Sequence, residues 1–82
     1  GLSMNSQVMP LNLLPLGKQG VVRELRADAG SRRRLLDLGL VTGTEVEAVL
    51  RSPAGDPMAF QIRGALIALR NAEAGQIFVA LL

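Results

Sequence analysis

The sequence predicts a small all-β barrel of about five strands, with one short helix inserted after the first strand. Two observations predict this fold class. Several short stretches alternate between apolar and polar side chains, with glycine- and proline-rich turns between them, as in neighbouring antiparallel strands. Only one segment has convincing helical spacing, and it follows the first of these stretches. In a chain of 82 residues, closing the strands into a barrel leaves few strand edges exposed.

The first predicted strand covers residues 20–26 and follows a turn that contains Gly17 and Gly20. Simple alternation would put Arg23 on the same face as Val21, which is the apolar face. The strand therefore contains a β-bulge, or it places Arg23 at the rim of the barrel.

The helix is predicted over residues 31–38. Ser31 is the expected N-cap, and Gly39 is placed to end the helix in the left-handed conformation. At about 100° per residue, three leucines fall within one arc and are expected to be structural core residues: Leu35, Leu36 and Leu38. Arg33 and Arg34 would then remain in water.

The rest of the chain consists of strands joined by short turns. They are predicted over these ranges: 44–50, 58–63, 65–70 and 77–82. A short segment at 71–76 is either one helical turn or a loop. In the strand 44–50, alternation places Val46, Ala48 and Leu50 on the inner face.

The final strand is apolar on both faces. If Ile77, Val79 and Leu81 face the core, the side chains between them face outwards. Either the barrel covers both faces, or an apolar strip is left for a partner, and both alternatives stay open at this point.

The beginning of the chain is expected to lie outside the barrel. Gly1, Leu2 and Ser3 precede Met4 and are interpreted as an added leader, and residues 1–10 as a flexible lead-in to a single domain over 11–82. No stretch is long and apolar enough for a membrane span, and no secretory signal is recognisable. We therefore expect a soluble, cytoplasmic protein without direct membrane insertion.

The composition argues against an enzyme. The chain has no His, Cys, Tyr or Trp, which removes the usual general base at neutral pH, thiol nucleophiles and the strongest metal ligands. With a net charge of only +2 and two Phe as the only aromatic residues, binding to nucleic acid is also disfavoured. We predict no enzymatic activity and no cofactor.

Two sets of charged residues remain as candidate binding groups. Three carboxylates are weak candidates for a divalent metal ion: Glu45, Glu47 and Asp56. The run Arg32-Arg33-Arg34 is a candidate docking site for an acidic surface. The ordinary alternative for both sets is a solvated surface.

The segments also form a recognisable pattern. Residues 33–49, RRLLDLGLVTGTEVEAV, resemble the signature of the FeoA family of bacterial ferrous iron transport proteins. Further segments agree with it: LNLLPLGKQGVV at 11–22, SPAGDP at 52–57, GALIALR at 64–70 and EAGQIFVALL at 73–82. The resemblance covers about residues 11–80.

This resemblance implies an SH3-like β-barrel and a role beside FeoB, the membrane permease whose cytosolic part binds GTP. Family proteins are not enzymes and have no agreed cofactor site. The same module occurs at the C-terminus of iron-dependent repressors of the diphtheria toxin repressor type, where it accompanies a DNA-binding domain. Matching the family motif gives structural roles to Leu35, Leu36, Leu38, Gly39 and Gly43.

We therefore expect a non-enzymatic accessory of ferrous iron uptake that binds the cytosolic GTP-binding region of a FeoB-type permease. The residues expected to contact this partner are Arg33, Arg34 and Leu40, around the end of the helix. Two alternatives are a nucleic-acid-binding SH3-like barrel and a carboxylate-based sensor of ferrous ions. A barrel this small also favours weak self-association.

Overall fold

A computed structural model describes residues 7–82, which form one antiparallel sheet of six strands. The strands are β1 Val8–Pro10, β2 Gln19–Leu25, β3 Glu45–Arg51, β4 Met58–Ile62, β5 Ala65–Leu69 and β6 Ile77–Leu81. Two helices, α1 Ala29–Asp37 and α2 Asn71–Ala74, and a 3-10 turn at Leu11–Leu13 lie between them. The order across the sheet is β1-β6-β2-β3-β4-β5. The predicted small all-β fold with an inserted helix is confirmed, with one strand more than expected.

The additional strand is β1, in the segment that was expected to be a loose lead-in. It pairs with β6 through Val8–Ala80, Met9–Val79 and Pro10–Phe78. Pro10 is tolerated because β1 is an edge strand, where one backbone N–H is not needed by the sheet. The expectation of an unstructured lead-in is therefore wrong for Val8–Pro10. Residues 1–3, which the sequence analysis interprets as an added leader, lie outside the described residues.

A single hydrophobic cluster fills the space that the sheet and helices enclose. Its fully buried members come from elements all along the chain, from the 3-10 turn to β6: Leu11, Leu14, Val22, Leu35, Leu40, Val46, Ala48, Met58, Phe60, Ile62, Leu69, Ala74, Ile77 and Val79. Because no buried residue is polar or charged among those described, the core is held by apolar burial alone. No helix in the described range is long and apolar enough to span a bilayer.

Helix α1 is capped three residues earlier than the sequence predicted. Its N-cap is Asp28, whose side-chain oxygen Oδ1 accepts a hydrogen bond from the Ser31 N–H at 2.8 Å. Ser31 is therefore the residue that is capped, and the prediction that it supplies the cap is wrong. A carboxylate is favoured here because it also interacts with the positive end of the helix dipole.

The end of α1 is a Schellman motif. The Leu40 N–H bonds to the Leu35 carbonyl at 3.1 Å, and the Gly39 N–H bonds to the Leu36 carbonyl at 3.0 Å. Gly39 has φ +99°, which confirms the predicted left-handed helix end. This reversal turns the chain so that both Leu35 and Leu40 enter the core.

Two bulges change which side chains face the core. In β2 the register shifts between Val22 and Glu24, so Arg23 is the bulged residue and the bulge alternative is confirmed. In β3 the register shifts between Ala48 and Leu50. Leu50 is consequently opposite Ala59 on the outer face and is 58% exposed, so its predicted core position is wrong.

Strand β6 lies between β1 and β2, and its surroundings explain its two apolar faces. Ile77 and Val79 are buried in the core as predicted, whereas Ala80, expected outside, is also buried. Phe78 is half-buried beneath the guanidinium group of Arg26, at 4.4 Å from the ring centroid. Of the two alternatives for this strand, coverage of both faces by the barrel therefore holds for most of its length.

Replacing Gly39 by alanine should lower the free energy of unfolding by about 1–2 kcal/mol, because a left-handed conformation is costly for any residue with a Cβ. The added Cβ would also lie 2.9 Å from the Cδ atom of Arg63. The matched control is Gly30→Ala inside α1, where the new Cβ meets nothing closer than 3.7 Å. It should raise stability by about 0.5 kcal/mol. Urea denaturation measures the free energy of unfolding of both variants. Equal effects would contradict the claim that the left-handed conformation of Gly39 stabilises the fold.

Candidate protein-interaction surface

Helix α1 carries the basic surface of the protein. Leu35 anchors the helix to the core, and Arg32, Arg33 and Arg34 are all exposed. Consecutive residues on a helix point in different directions, so the three arginines do not act as one unit. Arg32 reaches back to the end of β2, where its Nη1 donates to the Leu25 carbonyl at 3.1 Å.

Arg34 forms an ion pair with Glu73 of α2. The other carboxylate oxygen of Glu73 accepts a hydrogen bond from the Arg70 N–H at 3.1 Å, which caps the start of α2. Glu73 is partly buried, with 26% of its side chain exposed, so this pair is better shielded than a fully exposed one. Arg34 therefore joins the two helices, a role the sequence did not predict.

Arg26 is engaged within the chain as well. Its Nε lies 2.9 Å from a carboxylate oxygen of Glu24, and the hydrogen bond and charge of Glu24 raise the pKa of Arg26. The same guanidinium covers the ring of Phe78, while Phe60 is fully buried. Both aromatic rings of the sequence are thus unavailable for stacking on nucleic-acid bases.

Arg33 and Arg23 are the arginines of this region without an internal partner. Both are exposed, and within residues 7–82 neither forms an ion pair or a side-chain hydrogen bond. Arg33 lies on the outer side of α1 and Arg23 on the bulge of β2. Near α1, Arg33 and Arg23 are therefore available to an acidic surface.

Leu40 does not belong to any exposed surface. It is fully buried in the core by the Schellman motif, so the prediction that it contacts a partner is wrong. Leu36 and Leu38 are half-buried, and Leu38 packs against the core from its edge. Gly43, with φ +94°, donates its N–H to the Val22 carbonyl at 2.8 Å and sets the turn into β3.

The three candidate metal-binding carboxylates are not brought together. Glu45 and Glu47 line a shallow cleft of about 250 Å³ on the outer face of the sheet, where Glu47 accepts a hydrogen bond from the Gln19 amide at 3.3 Å. Asp56 lies in the β3–β4 turn and accepts from the Asn71 N–H at 2.9 Å. Across the described range, no three His, Cys, Asp or Glu side chains form a metal-binding group.

An apolar strip that the sequence did not predict lies on the outer face of β3, β4 and β5. It consists of Leu50, Ala59, Ala68 and Leu66, and the first three line a hollow of about 200 Å³. Two features of the sequence indicate this strip. One is the consecutive apolar pair Val49-Leu50 at the end of an alternating strand, and the other is the absence of any charge in ALIAL. We call these four residues the outer strip.

Six antiparallel strands around one core, with an inserted helix and an exposed basic surface, define a small barrel domain of the SH3-like class. A family model for the FeoA domain matches residues 9–81. The chain therefore belongs to the FeoA family, and the resemblance in the sequence is confirmed.

Known relatives agree with this assignment. An FeoA-like protein from Clostridium acetobutylicum has a TM-score of 0.86 and 33% identity, with 96% of this chain and 91% of that chain covered. FeoA of Stenotrophomonas maltophilia, solved with zinc, has a TM-score of 0.77 and 37% identity, with 87% and 88% covered. It is described as a prokaryotic SH3 domain protein and a candidate activating factor for ferrous iron transport.

A third relative joins two proteins in one chain. The Fe(2+) transport protein A/Fe(2+) transporter FeoB fusion protein of Porphyromonas gingivalis is 31% identical over 74 residues. The match covers 90% of this chain but only 9% of that protein, so this chain spans less than a tenth of its relative's length. These relatives place the family in ferrous iron transport.

Shortening Leu40 to alanine should lower the free energy of unfolding by about 2–5 kcal/mol, because the change leaves a cavity in the core. Leu50→Ala, which shortens the same type of side chain at an exposed site, should cost less than about 1 kcal/mol. Thermal and urea denaturation compare the two. A small effect at Leu40 would mean that this side chain is free at the surface.

Proposed function

We propose that this protein is a non-enzymatic accessory of ferrous iron uptake that binds the cytosolic GTP-binding region of a FeoB-type permease. The observation that carries the proposal is the fusion relative, in which an FeoA segment and FeoB are one polypeptide. Covalent fusion gives two modules a high effective concentration, which is useful when they work in contact. Binding to that region also implies a cytoplasmic location for this chain.

The contact surface that we propose is centred on Arg33. The neighbouring arginines Arg32 and Arg34 have partners inside the chain, so their charges are already used to hold the fold together. Arg33 is exposed and has no such partner among residues 7–82, which leaves it available to an acidic surface. Arg23, on the bulge of β2, is a second group of the same kind.

A regulatory role suits the chemistry of this surface. Charged groups at the rim of an interface mainly steer association and select the partner, and their effect weakens as salt rises. A single free arginine on a helix supports a reversible contact rather than a permanent one. We therefore expect the affinity for the permease region to fall with increasing ionic strength.

Arg33→Glu should weaken binding to the isolated GTP-binding region of the permease by about tenfold, because it replaces attraction by repulsion at the interface. Biolayer interferometry with immobilised permease region, with and without nucleotide, measures this affinity. Arg34 is unsuitable for the test, since a glutamate there would repel Glu73 and weaken the fold.

Lys18→Glu is the matched control, with the same change of charge at an exposed site before the opposite end of β2. It should change the affinity by less than about twofold. An equal loss in both variants would mean that only net charge matters. Absence of saturable binding in every nucleotide state would refute the proposed partner.

A further inference from the structure

Strand β5 is an edge of the sheet with an unusual composition. It pairs only with β4, and its five residues, ALIAL, carry no charge and no proline. Ala65, Leu66 and Ala68 are exposed, Leu66 to 60%. Exposed edge strands normally carry charges or proline that block pairing with another chain. The opposite edge, β1, has such protection, because it is three residues long and ends in Pro10.

The pairing of β5 with β4 determines which backbone groups are free. The two-residue turn Arg63-Gly64 closes on the pair Ile62–Ala65, so alternate residues of β5 bond to β4, beginning with Ala65 and including Ile67. The N–H and C=O groups of Leu66 and Ala68 therefore point away from the sheet. Within residues 7–82 these groups have no hydrogen-bond partner.

Both ends of this free edge are closed. At one end is the Arg63-Gly64 turn. At the other, the Arg70 N–H donates to Glu73, and the Arg70 carbonyl accepts from the N–H groups of Glu73 and Ala74, at 2.9 Å each. Within β5 itself, the edge thus offers the groups of Leu66 and Ala68, placed symmetrically on either side of Ile67.

We propose that a second copy of this chain binds here, through antiparallel pairing of the two β5 strands about a two-fold axis at Ile67. In this register Leu66 of each copy lies opposite Ala68 of the other, and each pair exchanges two N–H···O=C bonds. All the free groups of the edge are then satisfied at once. No other antiparallel register does this, because shifting the axis to Leu66 or Ala68 would require backbone groups from Gly64 or Arg70.

The side chains of the outer strip fit the same arrangement. Ala68, Ala59 and Leu50 lie in one row across β5, β4 and β3, and they line the apolar hollow. In the dimer the row continues with Leu66 of the second copy, next to Ala68. The small side chains of Ala59 and Ala68 leave room for that leucine, so in the isologous interface Leu66 of each copy packs beside Ala68 of the other on one continuous outer face.

Charge makes the dimer weak and gives it an unusual salt dependence. Arg63 and Arg70 flank β5, and antiparallel pairing brings Arg63 of one copy near Arg70 of the other. Their repulsion is screened by salt, so higher ionic strength strengthens the dimer. The contact involves only one five-residue strand from each copy, whereas stable complexes bury about 1,200 Å² or more, so we expect a dissociation constant on the order of 100 μM or weaker.

Sedimentation equilibrium of the full chain from 10 μM to 2 mM, at low and high NaCl, tests the dimer. Amide hydrogen exchange by NMR locates it: protection at Leu66 and Ala68 should increase with concentration. The Ile67 amide serves as an internal reference, because it points to β4 and should be protected at every concentration. A monomer at 2 mM in both salts, or association that NaCl weakens, would overturn the proposal.

Two variants and one control assign the interface. Ala68→Pro removes an N–H needed only by the second copy. Leu66→Lys puts a charged side chain against Ala68 of the other copy and two like charges diagonally across the two-fold axis. Each variant should raise the dissociation constant at least tenfold. Val8→Lys is the control, at a side chain 53% exposed on the opposite edge strand, and should leave it unchanged. Dimerisation that survives both β5 variants, or that Val8→Lys abolishes, would refute this interface.

Discussion

The reversal of the chain at Leu38–Leu40 is the constraint on which most of this structure depends. Because Gly39 adopts a left-handed conformation, the Leu40 N–H reaches the Leu35 carbonyl and both leucines enter the core. The same turn directs the chain towards β2, where Val22 bonds to both Gly43 and Thr44. The helix end therefore fixes the entry into β3, and through β3 the position of the whole β3–β4–β5 meander. A Cβ at position 39 would lie only 2.9 Å from the Cδ atom of Arg63, so the helix end and the β4–β5 turn lie close together.

The three consecutive arginines of α1 have different roles in the folded protein. Arg32 binds the end of β2 and Arg34 binds α2, whereas Arg33 is exposed and has no partner within residues 7–82. The helical rotation of about 100° per residue is sufficient to produce this division. In the linear sequence the three residues look equivalent, and they suggest a stronger positive surface than the protein has. Pairing within the chain accounts for the difference, since Glu24 and Glu73 compensate Arg26 and Arg34.

Much of the fold follows from the sequence because its signals are local. Alternation predicted β3 and β4, and the Leu38-Gly39 step predicted the helix end. The misses share a different cause, which is that they depend on distant partners. β1 exists only because β6 offers it an edge, and Leu40 is buried only because the Schellman motif turns it inwards. Leu50 faces outwards because the pairing of β3 with β4 accommodates one extra residue, which periodicity within a single strand does not reveal.

The bulge in β3 has a consequence for how this surface varies between proteins. Side-chain direction along a strand has a parity, and one additional residue reverses it for everything that follows. The number of residues that precede Leu50 in β3 therefore determines its position on the outer face, as much as its apolar side chain does. Inserting one residue before Leu50, with the pairing to β4 kept, would move the Leu50 side chain to the other face of the sheet. No other residue of the sequence would need to change. Two chains with the same core can then present different surfaces, and a single-residue gap in an alignment carries more information here than several substitutions.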